Sequence, residues 1–143
     1  MQSLVLPDPM EAAGVNDRAQ LAVAEAELRD RINERWMRRG VTMWDPERTY
    51  VDAEVHIEAD VSLLPGVILR GNCVVGAGAE VGPNSILTDT GVGDGAVVAE
   101  SVCTLATIGA GARIGAYSVL QPGAEVPEGT ELAPHSVVAG PEG

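Results

Sequence analysis

Two histidines and a tyrosine are the residues of this sequence best suited to moving protons. His56 and His135 are the only histidines in the chain. An imidazole titrates near neutral pH, so either one could take a proton from an amine or a hydroxyl group. Tyr117 could form one wall of a cleft beside such a base. We therefore take His56, His135 and Tyr117 as candidate catalytic residues, against the alternative that each histidine is a solvated turn residue.

A second set of polar residues could bind a substrate. Some of them lie close to interruptions in the repeat described below, and the others face outward from the repeat. Its members are Arg70, Asn72, Asp89 and Gln121. Interruptions in a repeat often border clefts between subunits, where ligands bind. The alternative is that these side chains belong to surface loops without a function, and the sequence leaves both interpretations open.

The two cysteines, Cys73 and Cys103, show no C-x-x-C spacing, so the sequence predicts neither a disulfide nor a metal site. Cys73 falls at a small-residue position of the repeat and is expected to pack in the core. Cys103 falls in an irregular stretch and could be exposed. A zinc site built from three histidines of a trimer is disfavoured, because only two histidines are present at unsuitable spacings.

A six-residue repeat positions these candidates and dominates the chain after residue 50. Aliphatic residues recur every six positions, with a one-residue slip after Leu87 and a second irregularity around Thr104. They are Val51, Ile57, Leu63, Leu69, Val75, Val81, Leu87, Val92, Val98, Ile108, Ile114, Leu120, Val126, Leu132 and Val138. This spacing is typical of the hexapeptide repeat of parallel β-helices, in which three hexads make one triangular coil.

A small or β-branched residue follows most of these aliphatic positions by four residues. The set is Val55, Val61, Val67, Cys73, Ala79, Ser85, Ala96, Val102, Ala112, Ser118, Ala124, Thr130 and Ser136. Glycine often follows the aliphatic residue directly, as in Val75-Gly76 and Ile108-Gly109. The repeat predicts about five coils over residues 41–140, with residues 141–143 as a tail.

One long helix precedes the repeat, within residues 16–40. Leu21, Ala24, Leu28, Ile32 and Trp36 form an apolar stripe at helical spacing and predict a helix over 17–39. Asp17 with Gln20 resembles a capping box, and Gly40 suits the position after the last turn. The preceding residues 1–15 contain two prolines and are expected to be irregular. Trp44 is expected to pack where the helix meets the repeat.

The charge of the chain restricts its partners. The formal net charge is −12, and all nine basic residues are arginine. An acidic surface does not attract nucleic acid or anionic membranes, so we expect neither as a partner. No apolar run approaches the roughly 20 residues needed to span a bilayer, and no secretory segment follows Met1. We expect a cytoplasmic protein.

Several motifs together resemble a known family. The run Gly14-Val15-Asn16-Asp17-Arg18 leads into the helix, Gly40-Val41-Thr42-Met43 follows it, and Val81-Gly82-Pro83-Asn84 and Val92-Gly93-Asp94-Gly95 lie within the repeat. This combination resembles the bifunctional N-acetylglucosamine-1-phosphate uridyltransferase/glucosamine-1-phosphate acetyltransferases over residues 8–123. The resemblance implies a linker helix and part of a left-handed parallel β-helix that assembles as a homotrimer, with ligands bound in clefts between subunits.

Departures from that family affect the expected activity. Where the family has Leu-Arg-Pro-Gly, this chain has Leu120-Gln121-Pro122-Gly123, so the arginine implied to bind the sugar phosphate is a neutral amide. Asn16 occupies the position of a magnesium ligand, but its aspartate partner belongs to a domain without a counterpart here, so we expect a helix cap. The base motif and coenzyme A coils also lack counterparts. We expect no acetyl transfer by the family's usual residues.

Three functions remain open. The first is a trimeric enzyme repurposed from the acetyltransferase scaffold for another small molecule, in specialised metabolism. The second is a non-catalytic trimeric scaffold or regulator, and the third is a divergent acyltransferase with His56 or His135 as the base. We predict no cofactor. Acetyl-coenzyme A is disfavoured as a ligand because it is a polyanion and the chain is strongly acidic.

Overall fold

The computed structural model describes residues 17–141 of the chain. The predicted irregular segment 1–15, the proposed cap Asn16 and residues 142–143 of the predicted tail lie outside the described residues. Within the described part, one helix is followed by a parallel β-solenoid. No helix in this part has the length and apolar character that a membrane span requires.

Helix α1 runs over Arg18–Arg38, within one residue of the predicted limits at each end. Asp17 caps its N-terminus, since the Asp17 carboxylate accepts a hydrogen bond from the backbone N–H of Gln20 at 2.8 Å. Gly40 follows the C-terminus with φ of +97°, a conformation that glycine adopts without strain. Ile32 and Trp36 of the predicted stripe are buried, so the second half of the helix packs on the solenoid.

Seventeen short strands follow the helix and a 3₁₀ turn, Pro46–Arg48, joins the first two. The strands are β1 Thr42–Met43, β2 Tyr50–Val51, β3 His56–Ile57, β4 Ser62–Leu63, β5 Ile68–Arg70, β6 Val74–Val75, β7 Glu80–Val81, β8 Ile86–Thr88, β9 Gly91–Val92, β10 Val97–Val98, β11 Val102–Thr104, β12 Thr107–Ile108, β13 Arg113–Ile114, β14 Val119–Leu120, β15 Glu125–Val126, β16 Glu131–Leu132 and β17 Val137–Val138.

The strands form three parallel sheets, and each strand pairs with the strand three places later in the chain. Sheet A contains β1, β4, β7, β10, β13 and β16; sheet B contains β2, β5, β8, β11, β14 and β17; sheet C contains β3, β6, β9, β12 and β15. This is a triangular solenoid of five complete coils and two further strands, which confirms the predicted parallel β-helix. Its left hand stays an expectation from the resemblance.

The first coil begins earlier than the hexads indicate. Strand β1 lies in the segment that bridges the helix and the repeat, and Met43 is buried in register with Leu63. Trp44, which follows it, is 67% exposed, so the prediction that Trp44 packs at the junction is wrong. Asn33 holds the junction instead, because its side-chain amide donates hydrogen bonds of 2.9 Å to the carbonyls of Pro46 and Thr49.

Cys103 corrects the predicted spacing of the core. Cys103 is fully buried and aligns with Leu87 and Leu120 on the neighbouring strands, so it fills the aliphatic position that the repeat lacked near Thr104. The steps from Val98 to Cys103 and from Cys103 to Ile108 are therefore five residues each. In the same region Ser101 is buried and Val102 faces outward, contrary to the small inward position predicted for Val102.

Candidate functional site

Sheet B carries an apolar row on its outer surface. Its outward residues align in register across six strands and are Tyr50, Ile68, Ile86, Val102, Val119 and Val137. Four of them are exposed, and Val137 reaches 66%. The outward rows of sheets A and C contain charged or polar residues such as Glu80, Arg113 and Glu125. A continuous exposed apolar row of this kind marks a surface for binding another protein.

Two corners of the solenoid flank sheet B. The AB corner consists of the turns that lead from sheet A to sheet B, and the BC corner consists of those that lead from sheet B to sheet C. The AB corner comprises residues 44–49, 64–67, 82–85, 99–101, 115–118 and 133–136, and the BC corner comprises 52–55, 71–73, 89–90, 105–106 and 121–124. Five of the seven candidate residues lie in these two corners, and the other two, Arg70 and His56, lie in strands directly beside the BC corner.

The AB corner holds two of the three candidate catalytic residues. Tyr117 and His135 occupy successive coils, and their rings stack with centroids 5.4 Å apart and an interplanar angle of 23°. Both residues have positive φ, +62° and +63°, which is uncommon for bulky side chains. The structure therefore places an exposed aromatic pair, one member of which is a titratable imidazole, along one edge of sheet B.

The BC corner holds three of the candidate binding residues in two adjacent coils. The Asp89 carboxylate accepts a hydrogen bond of 2.8 Å from the backbone N–H of Asn72, and the Asp89 N–H donates to the carbonyl of Arg70 at 3.0 Å. Asp89 therefore connects the turns, which is a structural role. The side chains of Arg70 and Asn72 remain exposed and can contact a ligand.

Gln121 lies at the same corner, two coils further along the solenoid than Asp89. Its side chain is exposed, and its backbone N–H donates to the carbonyl of Val138 at 2.8 Å. Leu105 lies on the coil between them, 54% exposed and with φ of +48°. An exposed leucine in a left-handed conformation is a strained arrangement, and the sequence analysis did not single it out.

His56 lies apart from the other two candidate catalytic residues, on the outer surface of sheet C. Its Nε2 atom is 2.9 Å from a carboxylate oxygen of Glu58, and its ring meets the edge of Trp36 at a centroid distance of 6.0 Å. These contacts occupy the imidazole at the junction of helix and solenoid. The structure thus brings Tyr117 and His135 together and separates His56 from them.

Neither cysteine provides a reactive group. Both are fully buried, as predicted for Cys73 and contrary to the exposure considered for Cys103. Burial raises the pKa of the Cys73 thiol and raises that of Cys103 to about 12, so both remain protonated at neutral pH. Among residues 17–141, no three histidine, cysteine or acidic side chains are grouped closely enough to hold a metal ion.

An open groove of about 510 Å³ lies across three strands of sheet A. It is lined by Val97, Ala99, Arg113, Ile114, Gly115, Glu131, Leu132 and Ala133. Val97, Arg113 and Glu131 align in register on β10, β13 and β16 and face outward. The groove lies on the sheet A side of the AB corner, because its small residues Gly115 and Ala133 precede Tyr117 and His135 by two positions.

Comparisons with known proteins agree with this architecture. Residues 54–89 match the family model described as bacterial transferase hexapeptide (six repeats). The chain is 47% identical over 123 residues to the bifunctional protein GlmU of Kineococcus radiotolerans, covering 86% of this chain and 25% of that protein. It is 48% identical over 122 residues to the GlmU protein of Bifidobacterium longum, covering 85% and 26%.

A solved hexapeptide transferase family protein from Anaplasma phagocytophilum is also similar, with 18% identity, a TM-score of 0.43 and coverage of 73% of this chain and 77% of that one. Residues 54–89 of the chain carry the hexapeptide repeat of the family model that they match. The chain is homologous to one segment of the bifunctional GlmU proteins, which confirms the resemblance seen in the sequence. It spans about a quarter of the length of the curated relatives it matches.

The apolar row of sheet B is a candidate functional feature that the sequence-based predictions did not include. Each member directly precedes an inward residue of every third repeat, so the row recurs every 16 to 18 residues. The six-residue spacing of the inward residues does not reveal that longer period. Comparing the preceding residues coil by coil would have shown that one face is apolar and the other two are not.

Proposed function

We propose that the chain forms a homotrimer through sheet B and binds a small molecule in the clefts between subunits, as a transferase-like enzyme of altered substrate. The observation that carries this proposal is the apolar row of sheet B, which has candidate catalytic residues at one flank and candidate binding residues at the other. The similarity to GlmU proteins supports a transferase scaffold.

Three-fold symmetry would complete each site. If three parallel solenoids turn sheet B towards a common three-fold axis, the AB corner of each subunit lies beside the BC corner of its neighbour. Each boundary would place Tyr117 and His135 of one chain close to Gln121 of the next, with Arg70 and Asn72 of that next chain three coils, or about 14 Å, further along the same boundary. One chain alone cannot make this cleft, because its own sheet B separates the two corners.

The residues of the proposed cleft have different chemical roles. His135 can accept a proton from an amine or hydroxyl of the substrate, and the ring of Tyr117 can hold the imidazole in place by stacking. Arg70, three coils from Tyr117, supplies a guanidinium for an anionic group at the far end of the cleft. Gln121 supplies an amide where the resemblance implies a phosphate-binding arginine. The proposed substrate therefore carries no phosphate group where it contacts Gln121.

Charge argues against a polyanionic cosubstrate. Three chains at −12 each would carry −36, which repels coenzyme A unless arginines form a local basic site. A cytoplasmic location and a role in specialised metabolism remain predictions from the sequence.

Native mass spectrometry with and without acetyl-coenzyme A tests the proposal. We expect a trimer that takes up no coenzyme. The variant Val102→Asp places a carboxylate in the apolar row and should yield monomers. Thr107→Asp makes the same change on the outer surface of sheet C and should leave the trimer intact. A monomeric wild type, or equal behaviour of both variants, would contradict the proposed interface.

Acyl transfer with different residues is the second candidate function, and the stacked imidazole of His135 at the proposed cleft favours it. A trimer that adds up to three coenzyme molecules would support it. The next assay would then measure acetyl transfer from acetyl-coenzyme A to a panel of amino sugars, in wild type and in His135→Gln. Absence of turnover with the whole panel would exclude this second function and leave the enzyme of altered substrate and the non-catalytic scaffold.

A further inference from the structure

We infer that the groove on sheet A binds a small zwitterion with separate carboxylate and ammonium groups, such as a free amino acid. The charged residues of the groove lie on sheet A, outside the apolar row of sheet B, and its small residues Ala99, Gly115 and Ala133 belong to the AB corner. The inference uses the groove of a single chain and needs no second subunit. It rests on the shape of the groove and on two charged residues in it that form no ion pair with any other residue between 17 and 141.

The depth of the groove follows from the size of one row of residues. The position two residues after each outward residue of sheet A is occupied in chain order by Trp44, Leu64, Gly82, Ala99, Gly115 and Ala133. The first two are large, and the last four are small. The surface therefore sinks beside Arg113 and Glu131, where the small residues form the floor.

Arg113 and Glu131 face this floor from adjacent strands. They align in register, which places their backbones about 4.8 Å apart. Opposite charges at such positions commonly pair. Yet the ion pairs within residues 17–141 are Arg38 with Glu34 and His56 with Glu58, and neither Arg113 nor Glu131 forms one. Both charged groups are therefore available to a ligand.

The two charges select the chemical class of the ligand. A guanidinium binds a carboxylate through two parallel hydrogen bonds, and a carboxylate accepts hydrogen bonds from an ammonium group. Val97 adds an apolar surface beside them, suited to a short carbon chain. A molecule with both charged ends satisfies both residues at once, whereas a simple anion or cation leaves one of them unpaired.

Saturation-transfer and amide-shift NMR with 4-aminobutyrate as the probe tests this inference. Butyrate and butylamine are the controls, since each keeps one charged end of the same carbon chain. We expect 4-aminobutyrate to bind about tenfold more tightly than either control, because a hydrogen bond to a charged group contributes roughly that factor. The shifted amides should include those of Ala99, Gly115 and Ala133.

Matched variants locate the site. Arg113→Gln and Glu131→Gln should each weaken 4-aminobutyrate binding by about tenfold, and Glu80→Gln should not weaken it, because Glu80 lies on sheet A outside the groove. All three residues are exposed, so the fold should tolerate these substitutions, which circular dichroism checks. Equal affinity for butyrate, unchanged binding in Arg113→Gln, or no saturation transfer from the protein to 4-aminobutyrate would overturn the inference.

Discussion

Ser101 joins three consecutive coils at the AB corner. Its hydroxyl accepts a hydrogen bond from the Ser118 N–H and donates one to the Gly115 carbonyl, each at 3.2 Å, while its backbone N–H donates to the Ser85 hydroxyl. Ser118 and Ser136 repeat the arrangement one coil further. These backbone N–H groups would otherwise be unsatisfied, which explains why serine, rather than alanine, occupies this buried small position.

Replacing Ser101 with alanine should destabilise the fold. The change leaves the buried N–H of Ser118 without an acceptor, which costs about 1–3 kcal/mol. Ser136→Ala is the matched control, because its hydroxyl lies at the exposed end of the row and donates only to the carbonyl of Ala133, so we expect less than about 1 kcal/mol. Urea unfolding measures both, and equal losses would contradict the role assigned to Ser101.

The buried thiol of Cys103 should make stability depend on alkaline pH. Its folded pKa is raised to about 12 from 9.0, so the folded state binds the proton more tightly. This contribution is fully present below about pH 9 and is lost as the pH rises towards 12, at about 1.4 kcal/mol per pH unit. Cys103→Val, an aliphatic residue at an aliphatic position, should show a shallower decrease.

The measurement is the free energy of unfolding at a series of alkaline pH values and a fixed protein concentration, because association alters apparent stability. Identical pH slopes for wild type and Cys103→Val would show that the thiol titrates alike in the folded and unfolded states. The fold would then not bury Cys103 as described.

The sequence alone predicted most of the inward residues of the solenoid and missed Cys103. The inward positions from Val51 to Leu87 were predicted correctly, because six-residue spacing holds there without interruption. The predicted inward row omits Cys103 because that row contains only aliphatic residues. It also assumes six-residue spacing, whereas three of the later intervals are five residues long. A cysteine packs as a small apolar residue, and a shorter turn changes the spacing without changing the register of the sheet.

The two ends of the solenoid differ in how well other elements cover them. At the first coil, helix α1 packs over β2, with the Arg29 guanidinium 5.1 Å from the ring centre of Tyr50. At the last coil, Leu132 and Val138 are only half-buried, although they continue the inward row. In a repeat structure each coil is stabilised mainly by its neighbours, so the less covered end should open first.

Hydrogen exchange should therefore be faster in β16 and β17 than in β1 and β2. The central strands β7 to β12 should exchange most slowly, since they have a partner strand on both sides. Mass spectrometry of peptides after exchange measures this order directly. Faster exchange at the first coil than at the last would show that helix α1 does not protect that end.

The helix was predicted almost to its limits because its signals are local. The cap at Asp17, the apolar stripe and Gly40 all lie within a few residues of the element that they define. The groove on sheet A and the apolar row of sheet B depend instead on residues 16 to 18 positions apart that the coils align. Such surfaces become visible only once the register of the strands is known.

At the scale of the whole molecule, the candidate site is divided between two corners. Tyr117 and His135 lie on one side of sheet B, and Arg70, Asn72 and Gln121 lie on the other. The sequence predicted outward-facing candidates but could not show this division, because it follows from the order of the three sheets. Exposed Leu105 and exposed Tyr117 extend the apolar surface onto both flanking corners.

The most direct test of the proposed assembly is cross-linking between these two corners. In the double variant Leu105→Cys/Tyr117→Cys, a short bismaleimide should link each subunit to the next and yield covalent dimers and trimers on a denaturing gel. Each single variant should stay monomeric, because three-fold packing places the two corners against each other and not against themselves. Cys73 and Cys103 do not interfere, since both are buried.

Glu128→Cys paired with Tyr117→Cys is the control, because Glu128 is exposed in the turn that leads from sheet C to sheet A, away from the proposed boundary. Covalent trimers in the Leu105/Tyr117 double variant alone would establish that the AB corner of one chain meets the BC corner of another. Monomers in that double variant, or equal cross-linking of the control, would contradict the three-fold arrangement and the shared cleft derived from it.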